Sequence, residues 1–294
     1  MMKSVTINKL LKEITLKAKE DLPIEDEIAE TSTELEREWE NQIGLLLLAL
    51  LFFLESDSKK LTVKDFSYIT ETIEKMMGEE FAYRIPEILS DFNTTLYQLG
   101  KKNIAGKSVN FSVNDFKIMD KLNQNAFLWM EKHYSDNLKE GLEKILEEYK
   151  DLGRKKLSNV LKIQVPQALK QYNVYFNIFA DQIGTQADIL GRLSGLEETW
   201  VKKVRFQAVM DSRTSDICRA MNGKILILDD LKKQANDFIK AIDTGDKEKI
   251  KKAWAWFPEK DADKLKNKSS KQLARMGVGL PPLHARCRSI VVPV

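Results

Sequence analysis

The chain has 294 residues, 43% hydrophobic and 31% charged, with 7 prolines and 13 glycines. That balance is too apolar for a disordered chain, and so few Pro and Gly exclude a turn-rich β-sandwich in favour of long helices. The net charge of +3 hides a division: residues 201–294 hold 21 Lys and Arg against 11 Asp and Glu, and residues 1–200 hold 26 against 33.

Lys3, Lys9 and Lys12 are not followed by an apolar stretch, so no secretory signal is expected. Two cysteines without such a signal point to a reducing compartment and against a structural disulfide. Residues 1–40 are acidic and sparsely apolar, which predicts helices with extended pieces outside the core. The run Leu45–Leu54 is the most hydrophobic stretch, yet ten residues fall short of the ~20 needed to cross a bilayer, so no stable membrane span is expected. Being apolar all round, it predicts a helix buried on every side, where an Asp at Leu48 would be costly. A membrane-active segment is the competing reading.

Thr62 reads as the N-cap of a helix reaching Met77–Gly78. A second helix is expected from about Glu79 to Leu99, ended by Gly100 and kinked or broken at Pro86. Lys101–Ser112 reads as a loop, which divides an acidic helical arm (1–105) from a helical body (106–200). Leu138, Leu142, Ile145, Tyr149 and Leu152 repeat at 4-3-4-3 spacing, an apolar seam for packing along another helix. After Gly153, helices are expected at about 154–162, 166–183 and 185–195, with Pro166 near a start.

From 201 to 294 the texture changes to a basic α+β module. Lys203–Val209 alternates charged and apolar residues, while Lys224–Leu228 and Ser289–Val292 are β-branched runs beside turns. Together they predict a short antiparallel sheet. Between the last two, Asp229–Met276 is charged and helical, broken near Asp243-Thr244-Gly245 and Pro258.

Cys218, His284 and Cys287 are three of only four Cys and His residues in the chain. They lie in two short segments, Asp211-Ser212-Arg213-Thr214-Ser215-Asp216-Ile217-Cys218 and Pro281-Pro282-Leu283-His284-Ala285-Arg286-Cys287-Arg288-Ser289. With Met221-Asn222-Gly223-Lys224-Ile225 between them, these segments resemble the signature of the minor head (head-morphogenesis) protein family of tailed bacteriophages. The matching residues are Asp211, Arg213, Thr214, Cys218, Pro281, Pro282, His284, Cys287 and Arg288, and the resemblance covers roughly residues 120–294. Many relatives carry further cysteines where this chain has Ser215 and Ser289.

Three chemistries fit the signature residues. Cys218, His284 and Cys287 are good zinc ligands, and His-x-x-Cys spacing lets both face one ion, but a structural zinc site wants a fourth ligand. Asp211, Arg213, His284 and Arg288 are the groups of a hydrolase or transferase site, although no nucleophile elbow, phosphate loop or paired carboxylates accompany them. The reading preferred on the residues is mechanical and metal-free. Asp211, Arg213 and Thr214 form a side-chain-closed turn, and Arg288 pairs with Asp211 or Asp216 when the last strand docks, with His284 in the same clasp.

The expected fold is therefore mainly α: a helical arm and body, then a small α+β module with a short antiparallel sheet. The resemblance implies a non-enzymatic minor capsid protein acting in head morphogenesis at the portal vertex or capsid interior. Portal, scaffold or capsid proteins would be its partners, in several copies per virion, and the host cytoplasm its location during assembly. The basic module adds double-stranded DNA as an expected partner, although Lys-rich helices also read as solvated faces. Two other classes remain: an enzyme or toxin acting on nucleic acid or nucleotide, and a host-derived DNA-binding or interaction protein.

Overall fold

The computed structural model describes residues 23–55, 62–76, 81–106, 109–130, 137–149 and 151–294. Among them the chain is mainly helical. Helices α1 (Pro23–Glu55), α2 (Val63–Lys75), α3 (Phe81–Ala105), α4 (Val113–Met130), α5 (Asn137–Glu148) and α6 (Arg154–Glu197) precede strand β1 (Lys203–Gln207). There follow α7 (Asp216–Met221), β2 (Ile225–Ile227), α8 (Leu228–Asp243) and α9 (Lys247–Ala253). A 3-10 turn at Glu259–Asp261, α10 (Ala262–Lys266), α11 (Ser270–Arg275) and β3 (Ile290–Pro293) complete it. No helix among the described residues is long and apolar enough to cross a membrane.

The described residues group into two compact units: those within Met1–Ile28, Ser90–Asn125 and Ile178–Val294 form the first, those within Ala29–Leu89 and Ala126–Asn177 the second. The expected division into consecutive blocks 1–105, 106–200 and 201–294 follows the chain, whereas these units interleave along it. The loop expected over Lys101–Ser112 starts later, because α3 runs on to Ala105, and the two helices it separates each contribute to the first unit.

The described elements of the second unit are all helices. Thr62 caps α2 through a reciprocal pair: Asp65 N–H donates to Thr62 Oγ1, and Asp65 Oδ2 accepts from the Thr62 N–H at 2.6 Å. The stop expected at Gly78 lies outside the described residues. Within α1, Leu35, Trp39, Ile43, Leu46, Leu50 and Leu54 are buried. The stretch around Trp39 is thus core, not the coreless arm expected for residues 1–40; residues 1–22 lie outside the described set.

The segment 45–54 is not buried all round. Leu48 is 64% and Phe52 82% exposed, and Leu45 is exposed as well. Only one face is packed, because Leu46, Leu50 and Leu54 recur every four residues on that side. Of the later seam, Leu142 is buried with Leu146, Ile145 is half-buried, and Leu138 lies outside the described side chains. α5 packs along α2. Arg154, at the start of α6, is held by Asp65 at 2.6 Å and the Phe53 carbonyl at 3.2 Å, with its guanidinium over the Phe53 ring.

In the first unit, the glycine read as a helix end, Gly100, proves to be a contact point. Gly100 lies inside α3 and Gly184 inside α6, and α6 is continuous across Pro166 where three helices were expected. A Cβ on Gly100 would overlap the Asp188 carbonyl, and one on Gly191 would overlap the Tyr97 carbonyl. The reciprocal pair brings the two backbones closer than any side chain permits, which explains glycine within both helices.

The sheet has order β2-β1-β3 and is antiparallel throughout. Val204 pairs with Leu226, and Phe206 with Val291. All four side chains are buried, so one sheet face is core, as the alternation along β1 predicts. α8 presents Leu231, Ala235, Phe238 and Ile242 inward, and Phe238 meets Trp254 edge-on at 4.8 Å. Gly245 takes a φ of +62° where α8 ends, at the expected break.

Candidate functional site

Each signature segment is placed by a different element. The first begins just after β1 and turns into α7; the second leads into β3. Because β1 and β3 pair side by side, residues nearly seventy positions apart meet at one end of the sheet. Asn222 and Gly223 close the near side: Ala208 N–H donates to Asn222 Oδ1 at 3.0 Å, and Gly223 N–H to the Phe206 carbonyl at 2.8 Å.

Asp211 closes its turn as expected. Its Oδ1 accepts from the Arg213 N–H at 2.8 Å, while Thr214 Oγ1 accepts from the Asp211 N–H at 2.7 Å. Arg219 donates from α7 to the Asp211 carbonyl at 2.8 Å. Arg288 then reaches back to Asp211 Oδ1 at 2.7 Å, choosing Asp211 over Asp216. The Arg288 hydrogen bond, aided by the Arg213 N–H, holds the Asp211 carboxyl well below the usual carboxylate range. The Arg213 side chain is 67% exposed and only 3.9 Å from Asp211, so its contribution to the clasp is its backbone.

His284 belongs to a second cluster beside the clasp. Its Nε2 lies 2.7 Å from Ser215 Oγ and 3.1 Å from Cys218 Sγ. Cys218 and Cys287 are both free and buried, with their sulfurs 3.5 Å apart. Ser289 Oγ donates to Cys218 Sγ at 3.1 Å. Ser215 also caps α7, accepting from the Cys218 N–H at 3.1 Å. The two positions singled out as serines for cysteines thus both face the sulfur and imidazole groups.

Hydrogen bonds from Cys287, His284, Ser215 and Ser289 pull the Cys218 thiol well below its ordinary value, against the opposing effect of burial. Cys287 moves the other way, raised by its hydrogen bond to Cys218 and by burial. Burial disfavours the His284 cation, but the adjacent Cys218 sulfur outweighs it and raises the imidazole. Cys218 and His284 therefore tend toward a thiolate–imidazolium pair.

Two supports were not visible in the sequence. Asp181, on α6, accepts the Arg286 N–H at 2.7 Å and holds the loop between His284 and Cys287, where Arg286 has φ 57°. Burial pushes the Asp181 carboxyl up to about 6, despite that hydrogen bond. Glu25, on α1, lies 4.0 Å from both Arg213 and Arg288. Upstream of the loop, Pro281, Pro282 and Leu283 are buried, with Leu280 N–H donating to Gln234 Oε1 at 3.3 Å and Leu283 accepting from Phe257 N–H at 2.8 Å. The arrangement can thus pin a strand, offer a sulfur and imidazole donor set, and hold a charged pair at the surface. Comparison with family models, curated proteins and solved structures finds no match to the chain.

Proposed function

We propose that this chain is a minor head protein of a tailed phage or prophage, a structural component acting in head morphogenesis at the portal vertex or capsid interior. The observation that carries the reading is where the signature residues lie. All of Asp211, Thr214, Cys218, His284, Cys287 and Arg288 gather at one end of the sheet and tie β3 to the rest of the module. A clasp on the final strand suits a part that must keep its shape within a large assembly.

The hydrolase or transferase alternative is less well supported. It needs Asp211 and His284 to act on one substrate, yet Asp211 is committed to Arg288, and His284 to Ser215 and Cys218.

Contact with packaged DNA is the second part of the proposal. A groove of about 860 Å³ bounded by α8, α9 and α11 is lined by Lys233, Lys240, Lys249, Lys252, Lys271 and Arg275, against Asp230 and Asp237. Such a surface neutralises phosphates without reading sequence, so binding should weaken steeply with salt. The test is mass spectrometry of density-purified particles from the producing strain, with the purified chain assayed on duplex DNA at two salt concentrations. The chain should be found in DNA-filled heads, and its DNA affinity should fall at least tenfold between low and physiological salt. Absence from heads overturns the capsid role; salt-independent or undetectable binding overturns the DNA contact.

A further inference from the structure

We propose that Cys218, Cys287 and Nε2 of His284 bind one zinc-type divalent cation, with water in the fourth position. This goes beyond the capsid reading and does not depend on it. The ligand atoms of the three residues lie within 4.8 Å of one another. A zinc ion bound to two sulfurs and one imidazole nitrogen at ordinary bond lengths separates its ligands by about 3.5–3.8 Å. The observed separations of 3.5 Å between the sulfurs and 3.1 Å from Cys218 Sγ to Nε2 are within about half an ångström of those edges.

The second observation is the orientation of the imidazole. His284 Nδ1 lies 2.6 Å from the Ala285 carbonyl, which can only accept, so Nδ1 carries the proton. Nε2 is then the coordinating atom, and it is the one that faces the sulfurs. A carbonyl that fixes the tautomer and ring angle of a metal-bound histidine is the usual outer support of such sites. The donor set is two sulfurs and an imidazole, with no carboxylate among the three. That choice selects a borderline-soft ion such as zinc over calcium or magnesium.

Ser215 and Ser289 have the place of outer ligands. Each hydroxyl points at a coordinating atom, Ser215 at Nε2 and Ser289 at Cys218 Sγ. A neutral hydroxyl is a poor zinc ligand, so the fourth position falls to water, with the serines positioned to hydrogen-bond around it. Replacing Ser215 by Cys supplies a third thiolate next to Nε2 and should tighten binding.

The test uses the full chain, reduced and stripped with a chelator, then titrated with cobalt(II) and back-titrated with zinc chloride. One equivalent of cobalt should produce thiolate-to-metal charge-transfer absorption and tetrahedral ligand-field bands, which zinc then abolishes. His284→Ala removes one of the three protein ligands, so it should weaken cobalt binding by more than the roughly hundredfold that loss of an outer support costs. Ser215→Cys should strengthen it at least tenfold, and this variant decides the matter should His284→Ala lose its far-ultraviolet circular dichroism. Folded protein with two titratable thiols and no charge-transfer band overturns the proposal. So does binding that neither variant alters, or a Cys218–Cys287 disulfide that persists in reductant.

Discussion

Charged groups hold the first unit at two places with opposite surroundings. At the α3–α4 end, Lys101 and Asp115 are both buried and 2.8 Å apart. Asp115 also accepts from Tyr97 Oη at 2.6 Å, Ser194 Oγ at 2.5 Å and the Ser112 N–H at 2.6 Å. At the signature end, the Asp211–Arg288 pair is as short, yet Asp211 stands in solvent. Burial works against the Asp115 charge, but Lys101, Ser194 and Tyr97 outweigh it and keep its carboxyl well below the usual range. Burial and Asp115 together push the Tyr97 hydroxyl far above its ordinary value. The same bond length thus means different things: the first pair cannot lose a partner cheaply, whereas the second is screened.

The largest effect is expected where the clasp meets the sheet. Deleting 289–294 removes β3, including buried Val291 and Val292 and the Ser289 hydroxyl. Two buried valines alone represent roughly 3–6 kcal/mol, before the lost strand pairing. Insoluble protein, or a melting temperature lowered by many degrees, is the expected result; an unchanged melt would show that β3 is dispensable.

Next comes Asp115→Ala, which leaves the buried Lys101 ammonium with only Glu198 at 2.9 Å and the Asn110 carbonyl at 2.9 Å, and leaves Tyr97 and Ser194 without their acceptor. A loss of about 3–5 kcal/mol is expected in denaturant unfolding, as for other broken buried pairs. A loss below about 1 kcal/mol would erase the contrast between the two ends. Because the folded Asp115 carboxyl titrates below its unfolded value, its stabilisation is present above about pH 4 and lost as pH falls below it. Wild-type stability should therefore decline into acid, and the variant should decline less.

The strands were legible from local patterns, β1 from its charged and apolar alternation and β2 and β3 from β-branched runs beside turns. The convergence of Asp211 with Arg288, and of Cys218 with His284 and Cys287, was legible from rare residue types flanking two strand-like runs. What the sequence hid depends on helices meeting. Gly100 looks like a terminator until α3 and α6 are laid together, and then it is, with Gly191, a point of approach. Lys101 looks like a loop charge, and Asp115 like any charge on a solvated helix. Asp181 lies about a hundred residues before the loop it supports, with no spacing to connect them. The run at 45–54 misled by composition, since a helix rich in leucine can still bury only the face that finds a partner.

A smaller effect is expected from Arg288→Ala. The clasp loses its ion pair, but Asp211 keeps the Arg213 N–H and stays in water. The melting temperature should fall by a few degrees at low salt and by less at high salt, the salt dependence being the mark of a screened pair. A drop as large as that of Asp115→Ala, insensitive to salt, would make the two ends alike.

The smallest effect, and the one that separates the ends by sign, is at Asp181. Burial raises its folded carboxyl from 3.8 to about 6, so in the folded state it binds a proton that the unfolded chain has already released. Stability from this group is complete below about pH 4 and is lost as pH rises through about 6, the reverse of Asp115. Asp181→Asn keeps an oxygen to accept the Arg286 N–H while removing the charge. The variant should be slightly more stable than wild type at pH 7 and indistinguishable from it near pH 4. Melting curves taken across that interval should converge toward acid for the two proteins. If they run parallel, Asp181 stays ionised throughout, and the loop between His284 and Cys287 rests on a charged helix residue instead of a neutral one.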